Sequence, residues 1–192
     1  LDFTGNRTLF SEVAHRLQAR GATRLYDALA EALEKVSHGR HNKKAILLIT
    51  DGNDTSSHIR FEEVLEMARR SEVLVYGMGI GRDTRGSFRF RVGQRRNDAT
   101  VDMGVLEAIA DATGGRAFHL EHSHQGGRDL IDEATLQVSS ELRQQYTVGY
   151  YPTNAARDGT YRTVQLRASA PGLQVRHRRG YYAPREVAAG IR

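Results

Sequence analysis

The stretch KKAILLITDGND, residues 43–54, constrains the fold most. Ala45 to Thr50 is a nearly unbroken apolar run with no polar face, bounded by two lysines before it and an Asp-Gly turn after it. Such a short continuous run reads as a strand buried on both faces, the kind found in a parallel sheet with helices above and below. Asp51 then stands at the carboxyl end of that strand, where open α/β sheets place their ligand sites. The same residue could equally serve only the turn, since Asp-Gly is a common turn pair.

The order around this strand supports an α/β reading. Leu9, Phe10, Val13 and Leu17 recur at helical spacing, with Gly21 as a stop. Leu25, Ala28, Leu29, Ala32, Leu33 and Val36 make one apolar stripe, so an amphipathic helix follows Thr23. After the central strand, residues 56–71 predict a helix with Phe61, Val64, Leu65 and Ala68 inward, and VLVYGMGI, residues 73–80, a second buried strand. Strand, helix, strand in that order is a βαβ unit with a parallel pair and a right-handed crossover. Residues 82–101 form a charged excursion in which Phe88, Phe90 and Val92 alternate with arginines, predicting a solvent-facing hairpin insertion. Asp102 is placed to cap a helix closed by Gly114-Gly115, followed by a third strand at 116–120 and a last helix at 130–143.

From Gln145 the period changes from that of a helix to two. YTVGYYPTN, TYRTVQLRAS and LQVRHRRGYYAP are separated by turn signals at 154–159 and at Pro171-Gly172, predicting antiparallel strands. The chain is thus read as an α/β body over 1–143 and a β-appendage over 144–192. At 192 residues it is the size of one domain with an appendage, and it opens on Leu rather than Met, so an earlier start in its gene is expected. It has no cysteine, which removes disulfides, thiolate metal sites and a cysteine nucleophile. No apolar run is long enough to span a bilayer. The net charge of +5 gathers after residue 157 on arginines that alternate along strands, a pattern of solvated or edge-protecting faces. Without the aromatic interleaving of stacking modules, no nucleic-acid partner is expected.

GATRLYDAL, AILLITDGND, VYGMGIG and LEAIADATGGRAF, in this order and spacing, resemble the second half of a von Willebrand factor A domain. LRQQYTVGYYPTN followed by PGLQVRHRRGYYAP resembles the subgroup of VWFA-related acidobacterial domains. The resemblance implies part of a Rossmann-like three-layer sandwich with a mostly parallel sheet, carrying a C-terminal antiparallel β-appendage. It also implies a metal-ion-dependent adhesion site for Mg²⁺ or Mn²⁺, a protein ligand, and export from a bacterium to the periplasm or the outside. Thr23 matches the family's second-loop Thr and Asp51 its third-loop Asp, while Asn53 and Asp54 would face the ligand. A hard divalent cation wants oxygen ligands and leaves a position for a partner's carboxylate. The family's D-x-S-x-S loop is absent; DTSSH at 54–58 comes nearest, with His58 where the second Ser should be. The strands that carry that loop are missing too, so the metal site is expected to be incomplete, and Thr23 is expected to serve as a helix N-cap. With those strands absent, Ile46, Leu48 and their neighbours would expose an apolar edge that either a missing segment or dimerisation must cover.

Other motifs argue for blander roles. Asp51, Asn53, Thr55 and Glu62 match calcium-loop spacing, but the central Gly is absent and a strand enters the loop. The glycines at 77, 79 and 81 lack G-x-G-x-x-G spacing and are read as close backbone turns. His119, His122 and His124 lack a completing carboxylate or Cys and read as surface residues. The tyrosines at 146, 150, 151, 181 and 182 read as packing the appendage onto the body. No G-x-S-x-G, H-E-x-x-H or G-x-x-x-x-G-K occurs. The expectation is a non-enzymatic protein-binding module. The alternatives are a metal-independent scaffold using the Arg- and Tyr-rich appendage, and a Mg²⁺ phosphohydrolase with Asp51 as nucleophile, against which Asn53 counts.

Overall fold

The computed structural model describes residues 3–16, 21–50, 53–83, 100–120, 127–173 and 175–185. Its centre is the sheet expected from the apolar runs: β1 (Ala45–Thr50), β2 (Leu74–Ile80) and β5 (Ala117–Leu120), in the order β1-β2-β5 and parallel throughout. The register runs from Ala45 beside Leu74 to Thr50 beside Gly79, and from Gly77 beside Ala117 to Ile80 beside Leu120. Helices lie on both faces, which is why β2 is apolar without alternation. β1 was expected to be buried on both faces too, but α5 sits over β2 and β5. Leu47 and Ile49 on that face of β1 stay exposed, rather than the expected Ile46 and Leu48. On one face lie α2 (Leu25–Ser37), α3 (Phe61–Arg70) and α4 (Met103–Thr113). There Leu29, Leu33, Val64, Ala68 and Ile109 enclose Ile46 and Val75. On the other face, Ala134 and Val138 of α5 (Gly127–Arg143) close over Tyr76, Met78 and Leu120.

The glycines of β2 are not turns, contrary to the sequence reading. Gly77 and Gly79 lie inside the strand, under α4. A Cβ on Gly79 would come 2.5 Å from the Met103 sulfur and 3.0 Å from Leu106, and one on Gly77 would come 3.2 Å from Leu106 Cβ. Bare backbone here lets α4 sit directly on the sheet. The ends of α4 follow the sequence: Asp102 Oδ1 accepts from Val105 N at 3.2 Å, and Gly114 stops the helix in the left-handed region at φ 85°.

Three expectations need correction. The helix over 56–71 begins only at Phe61, because the polar residues before it are engaged with α2; Glu63 then accepts from Arg60 N at 2.7 Å and caps it. The first helix, α1 (Arg7–Arg16), exists but buries none of its residues. In the appendage only β6 (Tyr161–Thr163) and β7 (Gly180–Tyr182) pair, antiparallel, with an isolated bridge between Asp158 and Arg185. The expected strand YTVGYYPTN, 146–154, does not form. In the turn that follows it, the Arg162 guanidinium donates to the carbonyls of Asn154 and Ala156. Between β2 and α4, two-residue strands β3 (Arg82–Asp83) and β4 (Thr100–Val101) pair in parallel. The expected hairpin around Phe88 and Phe90 lies outside the described residues.

The appendage is clamped to α3. Tyr182 donates its hydroxyl to Glu66, the Arg70 guanidinium lies 4.0 Å over the Tyr182 ring, and the rings of Tyr161 and Tyr182 are 5.0 Å apart. Tyr182 packs as expected, but Tyr146 and Tyr151 stand almost fully exposed. Among the described residues no helix is long and apolar enough to cross a membrane.

Candidate binding face at the carboxyl end of β1

The chain leaving β1 folds back on the start of α2, and side chains thirty residues apart satisfy each other's backbone. The first N–H groups of a helix have no partner within it. Thr23 does not supply one: the N-cap is Arg24, whose side chain makes no capping bond. Instead Asp54 Oδ1 accepts from Leu25 N at 2.7 Å and Tyr26 N at 3.3 Å, while Ser57 Oγ accepts from Tyr26 N and Asp27 N at 3.1 Å each. Ser57 Oγ also donates to Asp54 Oδ1 at 2.5 Å, and Asp54 Oδ2 accepts from Ser57 N at 3.3 Å.

The exchange is reciprocal. Asp27, in the first turn of α2, accepts from His58 N at 2.9 Å, Ile59 N at 3.2 Å and His58 Nδ1 at 2.9 Å. The bond from the His58 side chain, followed by the two backbone bonds, holds the Asp27 carboxyl below its ordinary range despite some desolvation. Thr23 is pinned through its backbone: its N–H donates to Thr55 Oγ1 at 2.9 Å, and its carbonyl accepts from Thr55 N at 2.9 Å and Ser56 N at 3.1 Å. Sequence reasoning did not single out Asp27 or Ser57, and it read His58 only as a departure from a motif. The run DTSSH was read only as the nearest approach to the D-x-S-x-S loop; its Asp and Ser residues are of capping type, but the helix they cap lies thirty residues earlier.

Of the four expected site residues, Thr23, Asn53 and Asp54 come together here; Asp51 lies outside the described residues. Thr23 lines a cavity of about 520 Å³ with Leu25 and Ala28 of α2, Leu48 and Thr50 of β1 and Ile80 of β2. Asn53 Oδ1 is buried and has no hydrogen-bond partner among the described residues. A buried acceptor left that way costs about 1–3 kcal/mol, so it is suited to a donor or a cation brought by something else. Asp54, by contrast, is committed to α2 and shapes the loop.

A hard cation needs about six oxygens. Among the described residues no three acidic or imidazole groups converge, and Thr23 and Asn53 offer only neutral oxygens. These residues by themselves do not make a Mg²⁺ or Mn²⁺ site. Of the histidine cluster, His119 Nε2 donates to the Gly81 carbonyl at 2.7 Å, a structural bond; His122 and His124 lie outside the described residues.

Comparison with known proteins follows the geometry. A curated relative, an uncharacterized protein of Borreliella burgdorferi, is 32% identical over 89 residues, 44% of this chain; the match spans only 26% of the relative's length. Solved structures with a similar course include an uncharacterized membrane spanning protein from Vibrio fischeri, at 22% identity, TM-score 0.39, covering 71% of this chain and 67% of that one. An aerotolerance-related membrane protein from Bacteroides fragilis is 15% identical with TM-score 0.49, covering 74% and 71%. The conserved hypothetical protein BatB from Bacteroides thetaiotaomicron is 16% identical with TM-score 0.43, covering 69% of each chain. The family profile of the von Willebrand factor type A domain matches residues 2–133, more than half of the chain. With that match added to the parallel sheet and its helical layers, this chain belongs to the von Willebrand factor type A domain family.

Proposed function

We propose that this chain, in a family whose members are generally protein-interaction modules, is a non-enzymatic module that binds a protein ligand at the carboxyl end of β1. The observation that carries the reading is the buried Asn53 Oδ1, left without a hydrogen-bond partner among the described residues, on the loop whose Thr55 is bonded to Thr23, a residue that lines the cavity. The reciprocal caps between the 53–60 loop and α2 hold that face rigid before any ligand arrives, which lowers the ordering cost of binding. A Mg²⁺ or Mn²⁺ ion would be held by the Asp51 carboxylate and the Thr23 hydroxyl, its remaining oxygens coming from water and an acidic residue of the ligand. Membership in an exported bacterial protein is part of the same proposal.

The test is a thermal melt in Mn²⁺, in Mg²⁺ and in EDTA, on the parent chain and on Asp51→Ala. A cation that binds only the folded state raises the midpoint. A rise that Asp51→Ala abolishes supports the metal-bearing face, and a melt indifferent to cations removes the metal from the proposal. Phosphatase activity lost in Asp51→Ala would overturn the non-enzymatic reading. The exposed Tyr146 and Tyr151 favour a second reading, a metal-independent scaffold whose contacts run through the appendage; binding that persists in EDTA and is lost on Tyr151→Ala would select it.

A further inference from the structure

The appendage is joined to the body by side chains rather than by a shared sheet. Among the described residues no backbone–backbone hydrogen bond links 145–185 to the central sheet or its helices, and β6 and β7 form a ribbon of their own. A two-stranded ribbon is marginal in water unless something holds it. The hold is concentrated in Arg176–Tyr182, which touch three helices. Arg176 pairs with Glu141 of α5, which Arg116 at the start of β5 also approaches at 3.8 Å. The backbone of His177 and Arg178 passes over Gly114, the cap of α4, so closely that a Cβ there would come 2.7 Å from it. Arg179 donates to Asp111 of α4 at 2.9 Å, and Tyr182 donates to Glu66 of α3 beneath Arg70. α3 and α4 return the chain to the starts of β2 and β5, so this contact lies at the amino end of the sheet, away from the 53–60 loop.

Charge carries most of this contact. The side chains of the Arg179–Asp111 pair are 65% and 64% exposed, and those of Arg176 and Glu141 40% and 23%. Ion pairs this open to water are weak one by one, and salt screens them: the Debye length falls from about 30 Å at 0.01 M to about 3 Å at 1 M. Apolar burial adds little. Ala183 is buried, but Tyr161 and Tyr182 are only partly so. Among the described residues, the three apolar clusters of the core include nothing after Leu142. The segment can therefore leave without opening the core, which makes it a separate unit of low local stability.

We propose that residues 176–182 are a strap whose closure is set by ionic strength. At low salt its arginines grip Glu141 and Asp111 and keep the β6–β7 ribbon ordered against α3, α4 and α5. At high salt the pairs are screened, and strap and ribbon open together while the body stays folded. Opening bares the carboxylates of Glu66, Asp111 and Glu141 on the body and the arginines of the strap at the same time. The proposal does not rest on the metal-bearing face, and its test is run in EDTA to keep the two apart.

Amide hydrogen exchange at 0.01 M and 1 M NaCl tests it. Val164 N, bonded to the Arg179 carbonyl, and Ala183 N, bonded to the Thr160 carbonyl, report on the ribbon, and Gly77 N, bonded to the Arg116 carbonyl, reports on the body. The expected result is exchange about tenfold faster at Val164 and Ala183 in 1 M salt, with Gly77 unchanged. Arg176→Gln with Arg179→Gln should exchange fast at Val164 and Ala183 in both salts. Exchanging the charges of one pair, Asp111→Arg with Arg179→Asp, should restore slow exchange at low salt, which a merely structural role for Arg179 would not allow. Protection of Val164 and Ala183 that is indifferent to salt overturns the proposal, since packing rather than charge would then hold the ribbon. So does exchange at Gly77 that rises with theirs, which would mean that strap and body open as one unit.

Discussion

Asp54→Ala removes a carboxylate that accepts four hydrogen bonds, from Leu25 N, Tyr26 N, Ser57 N and Ser57 Oγ. Two of the donors are the first N–H groups of α2, and Leu25 is buried, so water cannot replace Asp54 there without opening the core. Loss of an N-cap costs about 1 kcal/mol, and a buried donor left unpaired adds about 1–3 kcal/mol. The negative charge at the positive end of the helix contributes a further 0.3–1 kcal/mol by rough measure. These terms overlap, and about 3 kcal/mol is the expected total. For a chain of this size each kcal/mol moves the melting midpoint by about 2–4 °C, so Asp54→Ala should melt about 6–12 °C below the parent by circular dichroism. Asp54→Asn keeps one acceptor oxygen and should fall between them. Because Ser57 Oγ bonds both Asp54 and α2, Ser57→Ala combined with Asp54→Ala should cost less than the sum of the two. A midpoint for Asp54→Ala within about 2 °C of the parent would refute the trans-cap, since even the cap alone is worth about 1 kcal/mol.

Gly79→Ala places a methyl group 2.5 Å from the Met103 sulfur and 3.0 Å from Leu106 and Val101, all buried, so overpacking of about 1–3 kcal/mol is expected in urea unfolding. Gly77→Ala, whose nearest contact is 3.2 Å, should cost less. The folded-state Asp27 carboxyl titrates below its usual 3.8, so it contributes stability that is present above that value and lost as the pH falls through the folded value. Asp27→Asn should therefore be less stable than the parent at pH 6, and the gap should narrow as the pH falls below the ordinary carboxyl value, as read by denaturant midpoints across pH. Tyr182→Phe keeps the ring under Arg70 but loses the bond to Glu66. Limited proteolysis should then cut the appendage faster while the melt of the body is unchanged.

How much was legible depended on whether the signal was local. The unbroken apolar run of β2 announced a buried parallel strand, because burial on both faces leaves no polar alternation; in β1 the same signal found the parallel strand but overstated its burial, since Leu47 and Ile49 are exposed. The stripe of Leu25, Leu29 and Leu33 announced a helix on that sheet, and Asp102 and Gly114 marked the ends of another, because caps act within four residues of themselves. The parallel layout and the family were within reach of such signals.

What the tertiary structure decided lies at longer separation. Asp54 and Ser57 cap a helix thirty residues earlier, so Thr23 was the wrong cap and DTSSH looked like a degraded ligand motif. Gly77 and Gly79 sit in a strand, and only the approach of Met103 and Leu106 explains them. In the appendage, alternation promised three strands, but a strand needs a partner, and only Tyr161–Thr163 and Gly180–Tyr182 pair there. Which side chains of β1 face outward followed from where α2 and α5 come to rest. Periodicity records which residues can share a face; only packing chooses the face that is covered.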